Sequence, residues 1–87
     1  MQNYPNPFNP GTTIRYQLPE QQFVKIEIFN SLGEVVNTIV NQNQTAGEYS
    51  INWNGRNSSG QSLASGIYIY RIKAGSFVDS KKMMLLK

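Results

Sequence analysis

With 87 residues, a net charge of +3, no cysteine and no histidine, the chain has the makings of one small domain held together by packing alone. Ordering a chain costs about 1.5 kcal/mol per residue, so nearly every apolar group must contribute to the core. The missing residue types exclude disulfide staples, thiolate zinc sites, cysteine nucleophiles and histidine bases, and no apolar run approaches the ~18 residues of a bilayer span.

The opening segment Tyr4-Pro5-Asn6-Pro7-Phe8-Asn9-Pro10-Gly11 carries three prolines, each fixing its own φ and extending the residue before it. Residues 1–11 therefore read as a stiff, extended entry or linker closed by a turn at Pro10-Gly11, with Phe8 expected to dock back onto the domain. This motif starts almost at once after Met1, so the chain reads as one module of a larger protein, with its folded part at residues 12–87.

From Thr12 the pattern becomes period-2. Thr12, Ile14, Tyr16 and Leu18 share one face and Thr13, Arg15 and Gln17 the other, a first strand stopped by Pro19. Val24, Ile26 and Ile28 alternate with Lys25 and Glu27 as a second strand. Asn30-Ser31-Leu32-Gly33 is a turn with glycine where positive φ is expected. Residues 34–40 form a third strand, apolar at Val35, Val36, Ile39 and Val40, and residues 41–46 read as a polar loop.

Tyr49, Ile51 and Trp53 then alternate against Glu48, Ser50 and Asn52, giving a fourth strand with the only tryptophan. After a polar stretch at residues 54–60, Ile67-Tyr68-Ile69-Tyr70-Arg71-Ile72 makes a fifth. These two ring-bearing strands are expected to pair antiparallel and to organise the core, because buried aromatics contribute about 1.5–3 kcal/mol each. Tyr68 and Tyr70 should face inward, and Arg71 and Lys73 outward. Ala74-Gly75-Ser76 is a hairpin connection, and residues 77–86 return as the last strand. Six strands, or seven if the entry pairs with an edge, predict an all-β fold: a small antiparallel immunoglobulin-like β-sandwich.

Charge is unevenly placed. Residues 1–55 set Arg15 and Lys25 against four glutamates, a balance of −2, whereas residues 56–87 set six cations against Asp79, a balance of +5. A basic C-terminal third can steer toward an acidic partner, or simply be a solvated face. The five acids are scattered, and no catalytic constellation emerges, so the chain reads as non-enzymatic and without cofactor. Asn54 and Asn57 in the glycine-bearing turn at residues 54–60 have oxygen donors but no charge, so they read better as caps of backbone amides than as calcium ligands. Tyrosines as stacking platforms for nucleic acid give a weak signal, since they alternate into the core. A carbohydrate-binding or adhesive module requires exposed rings, for which Tyr4, Phe8, Tyr16 and Phe29 are candidates. The closing Lys81-Lys82-Met83-Met84-Leu85-Leu86-Lys87 is apolar on both faces of a strand. Such a strand is either central in its sheet or touches something outside the domain.

Taken together, Tyr4-Pro5-Asn6-Pro7-Phe8-Asn9-Pro10-Gly11-Thr12-Thr13-Ile14 resembles the entry motif of type A C-terminal sorting domains of the type IX (Por) secretion system. Val24 to Asn30 with Leu32-Gly33, Ala46-Gly47-Glu48-Tyr49, Trp53-Asn54-Gly55-Arg56, Ala64 to Arg71 and Lys82 to Lys87 agree in order. The middle is also similar to the immunoglobulin-like domain of flagellar hook-capping proteins, which often place aspartates where this chain has Asn54 and Asn57. The resemblance implies a non-catalytic signal on a cargo protein, folded in the periplasm in transit and recognised by outer-membrane machinery. In many members a cell-surface sortase then removes the domain, leaving the cargo at the surface or outside the cell. Recognition is implied at Asn6 and Pro7, at Gly66, Tyr68 and Arg71, and at Lys82, Met83, Met84, Leu85, Leu86 and Lys87. The domain is expected to be a monomer attached to an upstream cargo, with neither nucleic acid nor membrane insertion in its role. A purely structural spacer is a further alternative.

Overall fold

The structure is a computed structural model and describes residues 11–86. Six strands follow in chain order: β1 (Thr12–Leu18), β2 (Gln22–Asn30), β3 (Val35–Gln44), β4 (Gly47–Trp53), β5 (Gly66–Ala74) and β6 (Phe77–Leu85). They form two antiparallel sheets, a β1-β4 ribbon and a four-stranded sheet in the order β3-β2-β5-β6. The all-β immunoglobulin-like sandwich expected from the strand spacing is the fold. The proline-rich entry, including Asn6, Pro7 and the expected docking of Phe8, lies outside the described residues, as does Lys87.

Alternation sets what each sheet buries. Ile14, Tyr16 and Leu18 of β1 turn inward, as do Val24, Ile26 and Ile28 of β2 and Tyr68, Tyr70, Ile72 and Ala74 of β5. At one end of the core Trp53, Tyr68, Tyr70, Met83 and Leu85 cluster with Ile14 and Ile28. At the other, Tyr16 and Leu18 pack on Val24, Ile26 and Ile72.

The structure corrects two local expectations. The Trp53 and Tyr68 strands do not pair with each other: β4 pairs with β1, Trp53 opposite Thr12, while β5 lies between β2 and β6. The two rings instead meet from opposite sheets, centroids 5.6 Å apart at 66°. The connection between the two strands is too long for a tight hairpin and carries the chain across the sandwich, where the rings pack edge to face. The polar stretch from Asn41 is also not a loop until Thr45, because β3 continues to Gln44 in register with β2 from Gln22 to Ile26. Among the described residues β3 is an edge strand, exposed over much of its length, and so tolerates polar side chains that read as loop in one dimension.

The apolar pattern of β3, which does not alternate, also has a cause. Register shifts against β2 fall between Ile26 and Glu27 and between Ile28 and Phe29. They leave Ile39 and Val36 as the extra residues, and both pack against the core. Elsewhere the turns follow their sequence: Gly33 adopts φ 84° after Asn30, whose Oδ1 accepts from the amides of Leu32 and Glu34.

Candidate docking surface

The residues singled out for recognition sort by the pleat of β5 and β6. Tyr68 is buried, its hydroxyl donating to the Ala64 carbonyl at 2.7 Å, and burial pushes its phenol pKa up. Met83 and Leu85 are equally buried, and Gly66 sits opposite Leu85 at the end of the ladder. The side chains on the outer face are Arg71, Lys82 and Met84, the last at 42 % exposure, and Leu86, just beyond the strand, is 43 % exposed. Among the described residues β6 is an edge of its sheet, which removes the central position that would have buried both of its faces.

Register across the sheet assembles a larger outer face than the sequence alone displayed. Lys25 lies opposite Lys73, which lies opposite Val78. Glu27, Arg71 and Ser80 form the next row, and Phe29, Ile69 and Lys82 the one after. Ile67 opposite Met84 completes it toward the end of β6. Lys25 and Glu27 were legible as one face of a strand, but their juxtaposition with Phe29, Arg71, Lys73 and Lys82 was not.

At its centre Arg71 donates from Nη2 to Glu27 Oε1 at 3.0 Å, and Lys25 Nζ approaches the other carboxylate oxygen at 3.6 Å. The Arg71 guanidinium also lies 4.8 Å above the Phe29 ring. Burial opposes ionisation of Glu27, but the Arg71 hydrogen bond and the charges of Lys25 and Arg71 outweigh it. They hold its carboxyl below the usual carboxylate range.

The glycine-bearing turn works as a structural clasp. Trp53 Nε1–H donates to the Arg56 carbonyl at 2.9 Å, and Asn37 Nδ2 donates to the same oxygen at 2.8 Å. Asn54 Oδ1 accepts from the Arg56 amide, and Asn57 Oδ1 from the amides of Ser59 and Gln61. Both asparagines thus cap the turn, as their neutral side chains implied. Gly55, at φ 76°, lies beside the Leu85 side chain, which a β-carbon at this position would crowd at 3.3 Å, so the turn passes close to the end of β6.

An apolar cleft of about 340 Å³ opens at the other end of the sandwich, lined by Leu18, Pro19, Ile72 and Phe77 among others. Its phenol, Tyr16, donates to Gln44 at 2.6 Å, and its ring stacks on Tyr49 at 5.3 Å. Of the rings proposed for sugar stacking, Tyr16 is therefore buried and Phe29 is partly covered by Arg71, while Tyr4 and Phe8 lie outside the described residues.

Residues 7–76 match a family described as the FlgD Ig-like domain. Among solved structures, latent dimeric PorU from Porphyromonas gingivalis superposes with a TM-score of 0.79 at 23 % identity, covering 98 % of this chain and 9 % of that one. PorZ, a surface component of the type-IX secretion system of the same organism, gives 0.68 at 20 % identity over 99 % of this chain and 11 % of that one. FLGD from P. aeruginosa gives 0.65 at 25 % identity, with 85 % and 57 % covered. The chain thus spans only about a tenth of the length of the first two. No curated protein matches it.

Proposed function

Since the chain belongs to the FlgD Ig-like domain family, we propose that it is a non-catalytic sorting module of the type IX secretion system, directing the protein that carries it across the outer membrane. In this reading the folded domain passes through the periplasm, is recognised by the outer-membrane machinery, and reaches the cell surface or the medium, where a sortase can separate it from its cargo. It acts as a monomer, with no nucleic acid and no insertion into lipid. The observation that carries the reading is the last strand: among the described residues an edge of the sheet, anchored by Met83 and Leu85, with Lys82, Met84 and Leu86 exposed. The outward side chains of a strand so held can contact a partner, as side-chain pockets do where a strand is recognised. The ordered motifs from Tyr4 to Lys87 and the likeness to PorU and PorZ support the same reading.

The test fuses residues 1–87 to the C-terminus of a periplasmic reporter in a bacterium with this system. Deleting residues 84–87 would also remove the buried Leu85, so the informative variant is Met84→Ser with Leu86→Ser, which leaves the core intact. The wild-type fusion should reach the surface or medium and the variant remain periplasmic. Export of the variant at the wild-type level would overturn docking through the last strand. Retention of a folded wild-type fusion would overturn the sorting role itself and is the outcome that a mere spacer predicts.

A further inference from the structure

We infer that the outer face of the four-stranded sheet is a docking surface for an acidic protein. This deepens the sorting role proposed above and rests on it. The face carries Lys25, Arg71, Lys73 and Lys82 against the single acid Glu27. The chain's other charges cancel, Arg15, Arg56, Lys81 and Lys87 balancing Glu20, Glu34, Glu48 and Asp79. The whole net charge of +3 therefore equals the excess on this one face.

The arrangement carries a local cost. Lys25 and Lys73 stand directly opposite each other on adjacent strands, a placement that destabilises a sheet. Lys25 leans toward Glu27, which Arg71 already engages, leaving Lys73 between a second cation and Val78. A carboxylate supplied from outside relieves that repulsion. A local rule broken without internal compensation is the usual mark of a surface shaped for a partner.

The apolar part of the face decides the class of partner. Phe29, Ile67 and Ile69 are half-buried and Met84 is exposed, in rows directly beside the cations. A bare polyanion has no use for this aliphatic strip. Of the two rings this face carries among the described residues, Phe29 lies under the Arg71 guanidinium and Phe23, 51 % exposed near the start of β2 opposite Asn43, stands apart from the aliphatic strip, so a bilayer meets one protruding ring and not a cluster. Aliphatic residues, methionine and arginine on one face suit a protein surface whose carboxylates sit over Lys25, Lys73 and Lys82.

The experiment titrates the isotopically labelled 87-residue chain with a short peptide of alternating Glu and Leu, following amide resonances. The same is done with phosphatidylglycerol vesicles and with dextran sulfate. The peptide should shift resonances of Lys25, Phe29, Ile69, Arg71, Lys73 and Lys82, and bind more weakly as salt rises. Lys73→Gln with Lys82→Gln should weaken it about fivefold, two exposed ion pairs being lost. Arg15→Glu makes the same change in net charge on the opposite sheet and should leave binding unchanged. The inference falls if Arg15→Glu weakens the peptide equally, if the peptide shifts another surface, or if vesicles or dextran sulfate occupy the face and the peptide does not. The assay does not involve secretion. Peptide binding with a reporter that stays periplasmic overturns the sorting role alone, and a secreted reporter without peptide binding overturns this inference alone.

Discussion

Trp53→Phe tests the clasp between the two sheets. The indole is 1 % exposed, packs edge to face on Tyr68 at 5.6 Å, and donates to the Arg56 carbonyl at 2.9 Å. Phenylalanine keeps the six-membered ring but removes the donor and the second ring. Loss of a net hydrogen bond costs about 1 kcal/mol. The vacated space, about 30–40 Å³ at ~24 cal/mol per Å³, adds about 1 kcal/mol more. The Arg56 carbonyl keeps Asn37 as a donor, so no orphaned-acceptor penalty is added. The expected loss is about 2 kcal/mol, a fall of roughly 8–16 °C in Tm for a domain of this size. Urea unfolding followed by far-UV circular dichroism measures it, with Asn37→Ala and the double variant completing a cycle. Removing both donors should cost more than the sum of the single losses. A loss under about 0.5 kcal/mol for Trp53→Phe, or strict additivity in the cycle, would refute the assignment of Trp53 and Asn37 as joint holders of that carbonyl.

Three further predictions concern the charged and buried polar groups. The Glu27 carboxyl is held below its ordinary range, so its contribution is complete above the unfolded carboxylate pKa of about 4.3 and is lost as pH falls through the folded value. Glu27→Gln should cost about 1 kcal/mol at neutral pH, Arg71 being 38 % exposed and screened, and should flatten the acid limb of a Tm-against-pH curve. An acid limb that stays unchanged in the variant contradicts this. Burial and the Asp79 charge push the Tyr70 phenol up to about 12. A raised value means that stability present below the unfolded pKa of about 10 is lost as pH rises toward the folded one, which ultraviolet titration and alkaline melts will register together. Lys73→Glu replaces a like-charge cross-strand neighbour of Lys25 with an attractive one, so it should raise stability by about 0.5 kcal/mol while abolishing binding of the acidic peptide. A destabilised Lys73→Glu would show that the Lys25–Lys73 juxtaposition carries no strain.

Much of this molecule was legible because strands advertise themselves by parity. Ile14, Tyr16 and Leu18, or Tyr68, Tyr70 and Ile72, alternate so cleanly that which side they bury follows from spacing alone. The turn chemistry at Asn30 and Gly33, and the capping roles of Asn54 and Asn57, followed from side chains that bond their own backbone. Residues 41–44 were not legible, because an exposed edge strand needs no apolar side chains to hold its place in a ladder. The site was half legible. Parity displayed Arg71 and Lys73 outward, while Met83 and Met84 look equivalent until a sheet assigns one of them to the core.

Local patterning was enough to mark out six strands between residues 12 and 86, the buried face of β1, β2, β4 and β5, and the residues of the turns, since these are consequences of backbone geometry and period-2 alternation. Which strands lie side by side was settled by the folded sandwich alone. Trp53 and Tyr68 fit an antiparallel pair equally well on paper, and only packing across two sheets settles that they meet ring to ring. Pairing also decided that Lys25 faces Lys73 and that β6, among the described residues, is an edge. Those are relations between residues far apart in the chain, fixed by the joint burial of a core that no single strand contains.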